Sequence, residues 1–337
     1  MSLFRAHGRA TQQTKASGSV VALDWNDRHA VLGWLPERAH APEIQTHAIP
    51  EGLMIHGQWQ DEQAWRACLE TWVAATKISQ PLMVVALPAQ DLVHHWIKAE
   101  VGVDIDPDMA ANIDSSHALN SLVDHAMVEH ALTEQGAWSP IDQVFDVLPE
   151  SDLWPGQMGH KRGADVAVKN TRWCLLGASQ AKVSSYEALF ASSHLRLACV
   201  DGRPRALLGC LQQRVSNKGL HCVLDDHLGT TQWWVTSESG VNDFGQFSHQ
   251  RLSLVERVDH LTQRLATPQA NFGLDAMWVS NGQHDQATDV ASQVAQALGL
   301  ELVLMPPVNG HEESASQQAV VQGLLAKPLE RETSHAL

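Results

Sequence analysis

Residues 20–35, Val20-Val21-Ala22-Leu23-Asp24-Trp25-Asn26-Asp27-Arg28-His29-Ala30-Val31-Leu32-Gly33-Trp34-Leu35, decide how the rest of the chain is read. Val20 to Asp24 is a short apolar run closed by an acid. Asn26 to His29 is a polar cluster, and Ala30 to Leu35 is apolar again, so the stretch predicts strand, turn, strand. The pattern returns further on. His221 to Leu224 is apolar after its first residue, ends in Asp225-Asp226, passes through a polar turn with Gly229-Thr230-Thr231, and resumes as a strand at Trp233 to Val235.

Outward from these two hairpins, strands and helices alternate. Trp65, Cys68, Leu69, Trp72 and Val73 recur at helical spacing between Asp61 and Lys77, and Pro81 blocks continuation. Leu82 to Leu87 has the length and continuous apolarity of a buried strand. Residues 107–135 predict one long helix or two shorter ones, Ile141 to Leu148 a strand, and Pro149 to Gly163 a surface loop. Trp173 to Leu176 predicts a strand, followed by a helix marked by Val183, Tyr186, Leu189 and Phe190. Later helices are expected around Leu254 to Leu265 and Val290 to Leu298, the second capped by Gly299, and Leu300 to Met305 predicts the closing strand. Alternation of this kind predicts an α/β fold. Residues 1–18 read as a flexible leader and residues 311–337 as a polar tail.

The chain has 337 residues, 44% hydrophobic and 18% charged, which excludes wholesale disorder. With 23 basic against 38 acidic residues the net charge is −15, so a nucleic-acid-binding surface is not expected. The five cysteines, Cys68, Cys174, Cys199, Cys210 and Cys222, form no CxxC pair and read as reduced, mostly buried thiols of a cytosolic protein. Val20 to Leu23 is too short for a signal-peptide core, and no apolar stretch approaches the ~20 residues that span a bilayer. Any membrane location is therefore expected to come through a partner.

Two acid-ended hairpins, with a late glycine-containing turn before a helix, form the arrangement by which actin-like ATPases hold phosphate and a metal between two lobes. Backbone N–H groups of the turns face the phosphate, and the acids reach Mg²⁺ through water. Taken alone the pattern is common and carries no function. The order of segments also resembles the PilM family, actin-like, FtsA-related proteins of type IV pilus assembly. The resemblance rests on Pro50-Glu51-Gly52-Leu53-Met54-Ile55-His56-Gly57, the helix after it and Val84-Val85-Ala86-Leu87-Pro88. It continues through Trp138-Ser139-Pro140 to Leu148, Leu175-Leu176-Gly177-Ala178, and Asp275 to Gly282 within Asn271 to Pro307. It implies a two-lobed actin-like fold with an inserted subdomain. The expected division is 19–81 with 199–215 as the first lobe, 82–198 as the insertion and return, and 216–310 as the second lobe.

The resemblance also implies a site. Asp24 and Asp225 would face Mg²⁺, Asn26 would lie in the first phosphate turn, Gly229, Thr230 and Thr231 would lie near phosphate, and Gly282 beside the base of ATP. Three departures alter it. The family's opening Asp-Ile-Gly-Ser-Ser-Ser is replaced by Asp24-Trp25-Asn26-Asp27-Arg28-His29, which removes the phosphate glycine and adds Asp27 where an anion would sit. The second Asp-Ile-Gly reads Asp225-Asp226-His227, and the Gly-Gly near the base keeps only Gly282 after Asn281. A degenerate nucleotide cleft and a weak or absent ATPase follow.

What the resemblance implies about partners is a scaffold role. Such a chain would grip the short cytoplasmic tail of a PilN-like bitopic inner-membrane protein and link it to pilus motor components. It would be cytoplasmic and peripheral at the inner membrane, and a homo-oligomer is among the states it allows. The tail groove is expected near residues 82–198, where an insertion creates a crevice. MshI proteins and GspL-like secretion scaffolds are near neighbours of this reading. Of the twelve tryptophans, Trp233 and Trp234 must point to opposite faces of one strand.

Other constellations compete. Gly177-Ala178-Ser179-Gln180-Ala181 approximates a nucleophile elbow, with His194, His221 or His311 as bases for a serine hydrolase, although Ser179 is also an ordinary helix N-cap. A sugar or acetate kinase would share the fold but would need intact phosphate glycines. His125 and Glu129, with His117 and His130 nearby, approach metal-ligand spacing on a helix and equally describe a solvated face. His94-His95 read as structural.

Overall fold

The computed structural model describes residues 19–36, 41–98, 143–149, 172–212, 219–237, 240–280, 286–305 and 314–326. The first hairpin forms as expected: β1 (Val20–Trp25) pairs antiparallel with β2 (His29–Trp34), which pairs with β3 (Glu43–Ala48). A small hairpin, β4 (Met54–Ile55) and β5 (Gln58–Trp59), precedes α1 (Glu62–Ala75), whose N-cap Asp61 accepts a hydrogen bond from the Ala64 N–H. β6 (Leu82–Leu87) then runs parallel to β1.

The chain next makes a separate antiparallel sheet from β7 (Leu92–Lys98), β8 (Gln143–Pro149) and β9 (Arg172–Ser179), in the order β7-β9-β8. After α2 (Gln180–Ala191), β10 (Arg196–Gly202) returns to the first sheet parallel to β6, and α3 (Arg203–Gln212) follows. The first sheet is thus ordered β10-β6-β1-β2-β3.

The second half repeats this plan without the insertion. β11 (His221–His227), β12 (Thr230–Ser237) and β13 (Gly240–Ser248) form an antiparallel meander. α4 (Leu254–Phe272), β14 (Ala276–Val279), α5 (Gln286–Leu298), β15 (Glu301–Leu304) and α6 (Ala315–Ala326) complete it. The sheet order β13-β12-β11-β14-β15 mirrors that of the first sheet, with parallel pairing on the same side.

Three apolar clusters follow from the period-2 alternation of the strands. Val21, Leu23 and Trp25 of β1 face one cluster with Trp65, Leu69, Tyr186 and Phe190 of α1 and α2. Cys222 and Leu224 of β11, with Trp233 of β12, face another against Leu261, Leu265, Val290 and Val294 of α4 and α5. The alternate residues Ala22, Val223 and Trp234 face a central cluster shared by both sheets with α3 and α6. Trp233 and Trp234 therefore do point into different cores.

Two expectations about extent change. Leu82–Leu87, assigned to the segment 82–198, is a strand of the first sheet, and among the described residues the inserted sheet consists of β7, β8 and β9. Residues 315–326, expected within a polar tail, form α6, which is buried along most of its length, Gln317 and Gln318 included. A helix covered on all sides has no apolar stripe, so periodicity could not reveal it. Its small residues allow close packing: a Cβ at Gly323 would lie 1.7 Å from the Ala206 carbonyl oxygen of α3. The leader 1–18, the helical segment 107–135 and the loop 149–163 lie outside the described residues, except for Pro149, which ends β8.

Candidate functional site: the crevice between the lobes

Strand parity sets the site. Asp24 lies on the same face of β1 as Ala22, and Asp225 on the same face of β11 as Val223, so both carboxylates point into the crevice between the sheets. Asp24 is 2% exposed and Asp225 fully buried. A carboxylate in such a place needs a partner, because an uncompensated buried charge is very costly.

The partner is Arg203, the first residue of α3, itself 0% exposed. Its Nε donates to Asp225 Oδ2 at 3.0 Å and Nη2 donates to Asp225 Oδ1 at 3.3 Å, a forked pair. Nη1 donates to Asp24 Oδ2, and Nη2 also reaches Ser316 Oγ in the first turn of α6. Ser280 and Ser316 donate to Asp225 Oδ1. One guanidinium thus ties β1 of the first lobe, β11 of the second and the opening turns of α3 and α6.

One cation between two buried anions leaves a deficit of positive charge, and the two acids divide it unequally. Burial, only partly offset by Arg203 and reinforced by the charge of Asp225, pushes Asp24 up to about 6. Burial also acts on Asp225, but the charge and hydrogen bonds of Arg203, with help from Ser280, outweigh it and hold that carboxyl below its ordinary value. Arg203 is pushed down by burial and pulled above its usual value by both acids, and it stays charged.

The first turn beside the acids satisfies its own donors. Asn26 Oδ1 accepts from the N–H groups of Arg28 (2.8 Å) and His29 (2.7 Å), and the Asn26 N–H bonds the His29 carbonyl. The donors that could cradle a phosphate are consumed by a side chain of their own turn. Asp27 Oδ1 accepts from the Gly57 N–H at 2.7 Å. In the second turn Leu228 and Gly229 both have positive φ and close the hairpin tightly, with His227 paired to Thr230. Thr230 and Thr231 are buried in β12, and the Gly229 carbonyl accepts from the His249 N–H.

The two turns also touch. His227 Nε2 donates to the Trp25 carbonyl at 2.9 Å, and Leu228 packs so closely on Gly57 that a Cβ there would lie 2.3 Å from it. Burial, together with the charge of Arg203, holds His227 down to about 3, so the ring is neutral with its proton on Nε2. Mg²⁺ with nucleotide phosphates does not fit these residues: the position between the two acids holds a guanidinium, and the N–H donors of Asn26, Arg28 and His29 in the first turn are already bonded.

Of the expected site residues, Asp24 and Asp225 meet at Arg203, Asn26 caps its own turn, Gly229 lies in the second turn and Thr230 and Thr231 in β12, while Asn281 and Gly282 lie outside the described residues. Arg203 was the missing member. The only signal for it was an arginine after the strand-ending Asp201-Gly202 and before Pro204, a residue favoured in a first helical turn. Among the described residues no group of three or more His, Cys, Asp or Glu side chains could hold a metal. His117, His125, Glu129 and His130 lie outside them, and His94-His95 are in β7.

The hydrolase constellation is not assembled among the described residues. Ser179 is the exposed N-cap of α2, His194 pairs with Glu70 at 3.5 Å, and His221 meets Trp278 in the second sheet. His311 lies outside the described residues. At the junction of the first lobe and the inserted sheet, Asp91 and Lys182 pair at 3.0 Å, with the ammonium 6.0 Å from the Trp59 ring centroid and 5.9 Å from that of Tyr186.

No family model matches the chain, and no curated protein matches it. Solved structures do. The chain is similar to a PilM-PilN type IV pilus biogenesis complex, with a TM-score of 0.63 and 15% identity over 91% of this chain and 97% of that one. It is also similar to the cytoplasmic domain of EpsL, an inner-membrane component of the type II secretion system of Vibrio cholerae, at 0.50 and 10% identity over 92% and 95%. A Bacteroides thetaiotaomicron protein with an actin-like ATPase fold matches at 0.50 and 8% identity over 93% and 97%. The fold is two-lobed and actin-like.

Proposed function

We propose that this chain is a scaffold of type IV pilus or related secretion assembly that binds the short cytoplasmic tail of a PilN-like bitopic membrane protein and does not run on ATP. The observation that supports it most is the whole-length similarity of fold to the PilM-PilN complex. The crevice supports the second half of the reading, since a buried guanidinium between the acids and a self-satisfied first turn work against seating a metal-bound triphosphate. No helix among the described residues is long and apolar enough to cross a membrane. Inner-membrane attachment in this proposal therefore comes through the bound tail, as does any link to a motor or to further copies of the chain.

We place the tail groove at the junction of the first lobe and the inserted sheet, where Trp59, Asp91 and Lys182 combine an aromatic wall with a charged pair. The test is calorimetric titration of the purified chain with a synthetic peptide of that tail. Saturable binding that Lys182→Glu weakens at least tenfold is expected. Absence of heat with the wild-type chain would overturn the reading.

A further inference from the structure

We propose that Arg203 is a resident cation that closes the two lobes permanently, standing where a metal and nucleotide would otherwise join the two acid-ended strands. The inference rests on the crevice alone and holds whatever partner the scaffold takes.

The geometry has the features of a built site. A guanidinium is planar and forked, so it satisfies Asp225 through two parallel hydrogen bonds while a third nitrogen reaches Asp24 on the opposite lobe. Ser280 and Ser316 occupy further lone pairs on Asp225. All five side chains are at most 3% exposed, so exchange with an ion from solvent would require the lobes to part. The anchoring is also covalent: Arg203 begins α3 directly after β10, and its charge reaches the second lobe without any diffusible ligand. His227 on Trp25 and Leu228 on Gly57 seal the same side of the crevice. In a nucleotide-gated relative, closure would depend on ligand concentration. Here the closing ion is part of the chain, so closure does not depend on ligand supply.

A corollary concerns what remains when the guanidinium is removed. Arg203→Ala leaves two carboxylates and two hydroxyls around a cavity, a hard-oxygen donor set suited to a divalent cation. The experiment follows thermal unfolding by tryptophan fluorescence for the wild-type chain, Arg203→Ala, and Arg203→Ala with Asp24→Asn and Asp225→Asn, each with EDTA, 5 mM Mg²⁺, 1 mM Mn²⁺ or Mg-ATP. The wild-type Tm is expected to stay the same in all four. Arg203→Ala is expected to melt about 10 °C lower in EDTA, because breaking a buried pair strands the partner charges. Mn²⁺ should recover part of that loss, and the neutral triple variant should ignore it. A wild-type Tm raised by Mg-ATP would overturn the proposal, as would an Arg203→Ala chain as stable as wild type or indifferent to Mn²⁺. Should Arg203→Ala not fold in EDTA, X-ray scattering of the wild-type chain decides. An unchanged profile with and without Mg-ATP upholds permanent closure, and compaction on adding it overturns that closure.

Discussion

His227 and Trp25 are joined across the crevice by one hydrogen bond, imidazole Nε2–H to backbone carbonyl, on a ring that burial and the charge of Arg203 keep neutral. In the unfolded chain the same ring titrates near its ordinary value of 6.5, whereas in the fold it is held down to about 3. The unfolded state therefore binds more protons between these values, and stability falls as pH drops through that window, by about 1.4 kcal/mol per unit at the steepest. His227→Gln keeps an N–H for Trp25 but cannot titrate. Denaturant melts between pH 7 and pH 4 should show a flatter acid limb for the variant, and an unchanged limb would refute the assignment.

Asp24 has the opposite sign. Its folded value is near 6 against 3.8 unfolded, so the fold binds the proton more tightly and this group contributes stability as pH falls from about 6 toward 4. Asp24→Asn resembles the protonated form at every pH. The variant should be at least as stable as wild type above pH 7, with its advantage shrinking toward pH 4. The comparison is best made in the His227→Gln background, because the two groups oppose each other between pH 4 and pH 6.

Gly323 lets α6 lie against α3. Gly323→Ala gains helix propensity, about 1 kcal/mol, but sets a methyl group on the Ala206 carbonyl oxygen. The clash should win, with a net loss of about 2 kcal/mol in urea melts. A variant as stable as wild type would show that α6 sits further from α3.

Cutting the chain after residue 310 removes all of α6. Val320, Val321 and Leu324 leave the central cluster, and Arg203 loses Ser316. The shortened chain should lose cooperative thermal unfolding and bind ANS, the signature of unpacked apolar surface. A cooperative melt close to wild type would restore the polar-tail reading of 311–337.

The hairpins at 20–35 and 221–235 were legible because apolar runs, a closing acid and turn residues coincide within a few positions. The helix at 62–75 was legible because one face is solvated and the other carries Trp65, Leu69 and Val73. Asp24 and Asp225 were legible as a pair from their matching positions in the repeat. Arg203 was not, since its role depends on two residues far away along the chain, and local pattern carries no trace of a buried ion pair. α6 was missed for the related reason that Gln317 and Gln318 are buried, which composition reads as surface.

The placement of α6 bears on how the protein is made. β1 and β2 leave the ribosome early, yet the face they turn to the central cluster is covered by a helix synthesised only after the whole second lobe. At translation rates of about 5–20 residues per second, that face waits many seconds for its cover. The nascent first lobe is therefore a natural client for a holdase chaperone, and slower codons in the second half would lengthen its exposure to aggregation.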